Sequence, residues 1–420
     1  MSEVEPASAK AEWRSSWPLV LTAFLGMSMA ALSTSSMGVM LIPMQEATGW
    51  SRAQISSGPL LIFAVGLFTA TAAGFVVDRI GPRLVALVAS ALMCGAVALM
   101  GQIGPHLWHW LALWGLVGLA SAAFPSVWIQ PVTHRFVAGR GFAMAIVLCG
   151  SGLSPFAVAW IANLMLEDYG WRMTYLTIGG IWAAAVLPLT LLFVRSPEKR
   201  AASEGDDANP PPDDLPGLTV PQGFRGAAFW KIFLGYVTLN FGALALLLNL
   251  PPVLVSTGLS LTTATWIYGF SGFATIGGRV VGGWLVDRLP ARAMAAISCI
   301  GMGMLPLLLL LFPGSVAGAF AALLIFSVMG GALSPAIAYL VSKHIGPKSF
   351  ATFYQTVNMG ASITIGLAPL AANFIFDQVH SYRPVMIAAI PLAIVAALLF
   401  ASTGRYPVFG EAARRDAPAG

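Results

Sequence analysis

Arg279 stands in "GFATIGGRVVGGWLVD", residues 272–287, a run of glycines and apolar residues that carries no other charge before Asp287. A guanidinium binds a carboxylate through two parallel hydrogen bonds, so the chemistry this residue offers is anion recognition. Gln130, Asn240, Asn249, Tyr268, Tyr339, Gln355 and Asn358 are also embedded in apolar runs. Such groups complete a polar cavity or bond one helix to another. The expected substrate-binding set is Arg279, Asn240, Tyr339, Asn358, Gln355, Tyr268 and Gln130, with Asn240, Tyr339 and Asn358 foremost after the arginine. A second concentration of charge is "GFVVDRIGPR", Gly74 to Arg83, which returns as "GWLVDRLPAR", Gly283 to Arg292.

The elements that carry these residues follow from composition. The chain has 420 residues, of which 57% are hydrophobic and 9% charged, against about 25% charged in soluble proteins. Apolar runs of roughly 20 residues recur, each able to cross a hydrocarbon core of about 30 Å as a helix. The expected spans are 17–43, 53–76, 84–102, 107–130, 142–165 and 172–195, then 230–254, 263–285, 291–312, 314–341, 350–374 and 383–402. The alternation of a β-barrel is absent. Between the two sets, "SPEKRAASEGDDANPPPDDLPGLTVPQGFRG" is polar and proline-rich and reads as a linker. The fold expected is an all-α membrane protein of twelve transmembrane helices in two pseudo-symmetric six-helix halves. Residues 1–195 form the first half, 196–228 a cytoplasmic linker, and 229–420 the second half with a short tail.

Most Lys and Arg residues fall on one side if the N-terminus is placed inside, with Arg52, Arg172 and Arg383 in outside loops. Both termini and the linker are therefore expected in the cytoplasm. The polar, mixed-charge start "MSEVEPASAKAEWRSSW" lacks the pattern of a cleaved secretory signal. Cys94, Cys149 and Cys299 lie in three different spans and read as packing residues, with no metal site. The net charge of +5 follows from topology and gives no reason to expect nucleic-acid binding.

The two charged motifs align at a constant offset of 209, which sets Gly74 on Gly283, Asp78 on Asp287, Arg79 on Arg288 and Arg83 on Arg292. Pro125 and Pro335 match at 210, as do His134 and His344. Two halves in the same orientation are parallel repeats. "GFVVDRIGPR" fits the G-x-x-x-D-R-x-G-x-R signature, and together with the spans, the linker and "YGWRMTYL" the chain resembles the major facilitator superfamily. Within it, "GVMLIPMQEATGWSRAQIS" and "RFVAGRGFAMAIVLCGSG" resemble the monocarboxylate and oxalate/formate transporter branch.

The resemblance implies secondary active transport by alternating access and a gating role for Gly74, Asp78, Arg79, Gly81, Arg83, Gly283, Asp287, Arg288 and Arg292. Physically, Asp78 and Asp287 can accept backbone N–H bonds at helix starts near Phe350 and Phe142 respectively. The same residues also suit a tight, positively charged turn in which Gly81 eases the backbone. The branch carries an arginine at the place of Arg279 and uses it to bind carboxylate. Its lysines and aspartate fall here at Met359, Ser36 and Thr275, so a monoanion is expected rather than oxalate.

Arg279 lies about 12 Å along its helix from Asp287, and its counterpart in the first half is Ala70. An arginine at that depth costs roughly 2.5–3.5 kcal/mol on insertion scales. No Asp or Glu falls inside any expected span, which makes the substrate the expected counter-ion. The other reading is a guanidinium that caps carbonyls or reaches a water-filled crevice. "SP" at Ser154-Pro155 and Ser334-Pro335 is expected to kink two helices. The function expected is transport of a small organic anion, a monocarboxylate, across a bacterial inner membrane by proton symport or anion exchange. The alternative is proton-coupled efflux of neutral or anionic drug-like compounds. No nucleophile or metal motif points to an enzyme, and no cofactor is expected.

Overall fold

The computed structural model describes residues 9–136, 140–194, 217–286, 288–404 and 406–407. Every extended element among them is a helix. In chain order these are α1 (Ala9–Ser28), α2 (Leu32–Thr48), α3 (Arg52–Ser56), α4 (Leu60–Ile80), α5 (Pro82–Met100), α6 (Leu107–Arg135), α7 (Arg140–Cys149) and α8 (Leu153–Phe193). They continue as α9 (Val220–Arg225), α10 (Ala227–Leu247), α11 (Leu250–Ser256), α12 (Leu261–Val286), α13 (Ala291–Leu311), α14 (Val316–Ile345), α15 (Phe350–Val379) and α16 (Arg383–Ala401). Among the described residues, nine helical runs are long and apolar enough to cross a membrane. Helices suit that setting because each backbone polar group finds its partner within the same segment.

The turns follow from local chemistry. Gly49, at φ 71°, ends α2 and donates its N–H to Gln45 O at 3.0 Å. Ser51 then starts α3 through a capping box with Gln54. Gly81, at φ 97°, makes the corner between α4 and α5, with Pro82 as the first residue of α5. Gly170, at φ 71°, divides α8 into two helices. A single 3₁₀ turn, Met29–Ala31, interrupts the first expected span, and Gly150–Gly152 interrupts the fifth just ahead of Pro155. The seventh breaks before Pro251 and Pro252. Pro335, by contrast, lies inside an unbroken α14.

The described residues fall into two compact units. The first lies within Met1–Lys199, Leu248–Val255 and Ser260–Phe273, the second within Arg200–Leu247, Ser256–Leu259 and Ala274–Gly420. In the first, Ser28 is a buried polar node. Its hydroxyl bonds Leu25 O at 2.6 Å and accepts Trp182 Nε1 at 2.8 Å, and its carbonyl accepts Ser154 Oγ at 2.5 Å. Backbones there approach closely: a Cβ on Gly150 would overlap the Phe24 carbonyl, and one on Gly272 the Gly152 carbonyl. Phe156 packs at 4.8 Å from Phe273 and 6.0 Å from Phe270.

In the second unit α13 lies against α14 and α16, and α10 lies against α15 and α16. Gly278 and Gly282 bring α12 onto Val328 and Ala332 of α14, while Gly331 of α14 abuts the Thr275 carbonyl. Gly360 of α15 faces Phe233 and Val237 of α10 in the same way. Small residues on both partners permit dispersion contacts between backbones, the main attraction available between helices in lipid.

Gly331→Val places branched carbons against the Thr275 carbonyl, an overpacking that costs about 1–3 kcal/mol. Its melting temperature in detergent should fall by several degrees. Gly277→Ala, where an added Cβ meets nothing within 4 Å, should leave that temperature unchanged or raise it.

Candidate functional site

The site begins with the close crossing of α12 and α14. Gly278 is pressed against Val328, and each helical residue advances roughly 100° around the axis. Arg279 is thereby turned away from the Gly278 contact, and it is half-buried. The phenol of Tyr236 in α10 lies within electrostatic range of Arg279 and of Tyr354 in α15, and it neighbours the Asn240 amide. Three helices of the second unit thus contribute to one polar cluster.

Tyr236 and Asn240 belong to "YVTLN", and Tyr354 and Asn358 to "YQTVN". The two segments share the pattern Tyr-x-Thr-x-Asn and the same local geometry. Asn240 Nδ2 donates to Tyr236 O at 2.8 Å, and Asn358 Nδ2 donates to Tyr354 O at 2.9 Å. In each case the amide bonds the carbonyl one turn earlier, which holds the carboxamide along the helix beside its tyrosine. Ser362 Oγ adds a bond to Asn358 O at 3.0 Å. The packing of α10 on α15 brings the two segments to neighbouring helices. A guanidinium, two phenols and two carboxamides together suit a small polar ligand with one negative charge.

The other expected substrate-binding residues divide between the two units. Tyr339, in α14, carries Lys343 Nζ 5.3 Å above its ring. Gln355 is exposed on α15. Tyr268 is buried in the first unit, bonded to Ser35, and half-buried Gln130 lies in the same unit. Tyr236 and Tyr354 were not among the expected residues. The repeated Tyr-x-Thr-x-Asn pattern is the signal that marks them.

The two charged motifs have matching anchors. Arg83 Nη2 donates to Leu191 O at 2.6 Å near the end of α8, and Arg292 Nη1 donates to Gly404 O at 3.2 Å just after α16. Each arginine therefore ties the start of its helix to the chain at or just past a later helix of the same unit. Arg79 is exposed, Gly283 has open space around it, and Arg288 lies 3.8 Å over the Trp284 ring. The expected pairings of Asp78 and Asp287, the surroundings of Gly74 and the side chain of His134 lie outside the described residues. His344 is buried, with Nδ1 3.0 Å from Leu340 O.

A family model described as Major Facilitator Superfamily matches residues 23–357. The chain belongs to the Major Facilitator Superfamily. Monocarboxylate transporter 13 of Bos taurus is 23% identical over 379 residues, covering 89% of this chain and 85% of that protein. An uncharacterized MFS-type transporter, YcxA, of Bacillus subtilis (strain 168) is 23% identical over 392 residues, covering 86% and 88%. Among solved structures, a bacterial homologue of the human lysosomal transporter Spinster superposes with a TM-score of 0.73 at 16% identity, covering 93% of this chain and 97% of that one. This superfamily member is thus an integral, multi-pass membrane transporter with the major facilitator fold, and it resembles the monocarboxylate branch.

Arg279→Met removes an insertion cost of roughly 2.5–3.5 kcal/mol for an arginine in a membrane-spanning helix, together with the contacts its head group makes. The melting temperature in detergent should hold or rise where the first is the larger. A fall of several degrees would instead identify Arg279 as a structural brace.

Proposed function

We propose that this transporter carries a small organic monoanion, a monocarboxylate, with Arg279 as the group that holds the carboxylate. The observation that carries the reading is the cluster itself: a half-buried guanidinium in an apolar helix, coupled to a phenol that neighbours a second phenol and a carboxamide. Arg279 offers paired N–H donors in a plane that matches a carboxylate. Tyr236 and Asn240 on α10, with Tyr354 and Asn358 on the neighbouring α15, are neutral groups, which can orient the rest of the substrate without competing for the guanidinium. The relatives named as monocarboxylate transporters support the same substrate class.

Transport then proceeds by alternating access between two six-helix halves, 1–195 and 229–420, joined by a cytoplasmic linker, with both termini in the cytoplasm. Asp78 and Asp287 act at the cytoplasmic gate, and Arg83 and Arg292 keep each repeat rigid as it moves. The proton, where one is used, travels with the acid; otherwise one anion exchanges for another. The protein works in a bacterial inner membrane.

The test is uptake of a panel of labelled monocarboxylates into proteoliposomes, with and without an imposed pH gradient. For the acid that wild type accumulates, Arg279→Lys should reduce uptake roughly tenfold or more, since losing a bidentate charged pair costs about 1.5–3 kcal/mol. Dependence on the gradient separates symport from exchange. Uptake that the substitution leaves intact, or a panel in which no acid moves, rejects the monocarboxylate reading in favour of efflux of drug-like compounds.

A further inference from the structure

The final stretch of the linker, residues 217–225, is bound to the second unit by its own set of contacts. Leu218 donates its N–H to Ile345 O at 2.8 Å, and Ser349 Oγ donates to Leu218 O at 2.9 Å. Serine is a preferred N-cap, yet Ser349, which precedes α15, makes no cap bond with its side chain and directs its hydroxyl to the linker. Gly217 adopts φ 151°, and a Cβ there would lie 2.9 Å from Ile345 O. Such a position excludes larger residues. Thr219 and Gln222 then close a capping box that starts α9.

α9 docks through a glycine and an aromatic ring. Gly223 is buried, and a Cβ on it would overlap the Phe353 ring. Phe224 packs 4.7 Å from Phe353 and 5.1 Å from Phe229, and Phe229 packs 4.7 Å from Phe353. Trp230 Nε1 donates to Phe224 O at 2.8 Å. These rings join α9 to the first turns of α10 and α15. Phe353, which is fully buried, immediately precedes Tyr354, and Phe350 stacks on Tyr354 at 5.4 Å with an interplanar angle of 11°.

We propose that residues 217–225 form a strap, with Gly223 and Phe353 as positioning residues, that sets the rotation of α15 about its axis. The strap thereby sets where Tyr354 and Asn358 stand relative to Arg279. Phe353 and Tyr354 leave the helix roughly 100° apart, so seating the first ring under α9 aims the second toward α10. A linker that only joined two halves would need no buried glycine, no capping box and no shared aromatic cluster. The effect on substrate rests on the reading of Arg279 as the anion site, whereas the mechanical effect does not.

The experiment has two arms, run on full-length protein with Cys94, Cys149 and Cys299 replaced by alanine. In the first, nitroxides on cysteines placed at exposed Leu234 of α10 and Thr352 of α15 report the distance between these helices. Gly223→Leu should broaden or shift that distribution, while Pro221→Ala, on the exposed side of α9, should leave it unchanged. In the second arm, performed without labels, Gly223→Leu and Phe353→Ala should raise KM about tenfold for the accumulated acid and change Vmax less than twofold. Phe353→Leu, which refills the pocket, should restore most of the affinity. An unchanged distance distribution overturns the strap whatever is transported. A changed distance with an unchanged KM, or a loss confined to Vmax, overturns its role in positioning. If Arg279→Lys is silent while the strap variants still raise KM, the strap stands and the anion assignment fails.

Discussion

The close approach of α12 to α14 is the constraint on which the candidate site depends. Gly278, Gly282 and Gly331 let two backbones meet where side chains would hold them apart. In lipid there is little hydrophobic drive to press helices together, so this fit must come from dispersion and from the absence of carbons in the way. The same fit fixes Arg279, one residue from Gly278. A longer side chain at any of the three glycines would move the guanidinium along with the helix that bears it. The packing of the two helices and the position of Arg279 are therefore set by one set of contacts, and glycine serves there for what it lacks.

Symmetry separates architecture from chemistry. Arg83 and Arg292 align in sequence and each donates to a backbone carbonyl, that of Leu191 near the end of α8 and that of Gly404 beyond α16. A contact made twice by the same motif serves the scaffold common to both halves. Arg279 breaks the symmetry, since its counterpart is Ala70. The Tyr-x-Thr-x-Asn segments show a third pattern, a repetition between neighbouring helices within one unit, on α10 and α15. Their amides make the same backward bond to the tyrosine carbonyl, so the two helices carry the same local arrangement.

Helix location was legible because a 20-residue apolar run has few alternatives in a bilayer. Most expected spans agree with the helices to within a few residues, and Gly81 lies at the corner its motif suggested. Breaks within helices were less legible. The 3₁₀ turn at Met29–Ala31 arises in "GMSMAALS", which contains no proline and no paired glycine. Its position answers to tertiary contact with Ser154 and Trp182 at Ser28. Pro155 marked a real discontinuity, whereas Pro335 lies in an unbroken helix, so the dipeptide alone did not decide the outcome. Arg279 was visible from its charge. Tyr236 and Tyr354 were not, because a tyrosine in an apolar run reads equally well as packing, and only the repeated pattern with Asn singles them out.

A binding site for an anion inside hydrocarbon faces opposing demands. The cation that attracts the ligand must be tolerable when the ligand is absent, yet a carboxylate partner from the protein would cancel the charge and repel the substrate. Phenols and carboxamides meet both demands: their dipoles partly replace water around a guanidinium without neutralising it. α10, α12 and α14, as sequences, contain neither Asp nor Glu, and α15 contains only Asp377, near its far end. Tyr236, within electrostatic range of Arg279 and Tyr354 and beside Asn240, belongs to a set of neutral polar groups on these helices. Because such dipoles act only at short range, the orientation of the rings matters more than it would for a charge. That sensitivity gives a structural reason for anchoring the start of α15 so firmly, since a rotation too small to disturb a salt bridge would move Tyr354 relative to Tyr236.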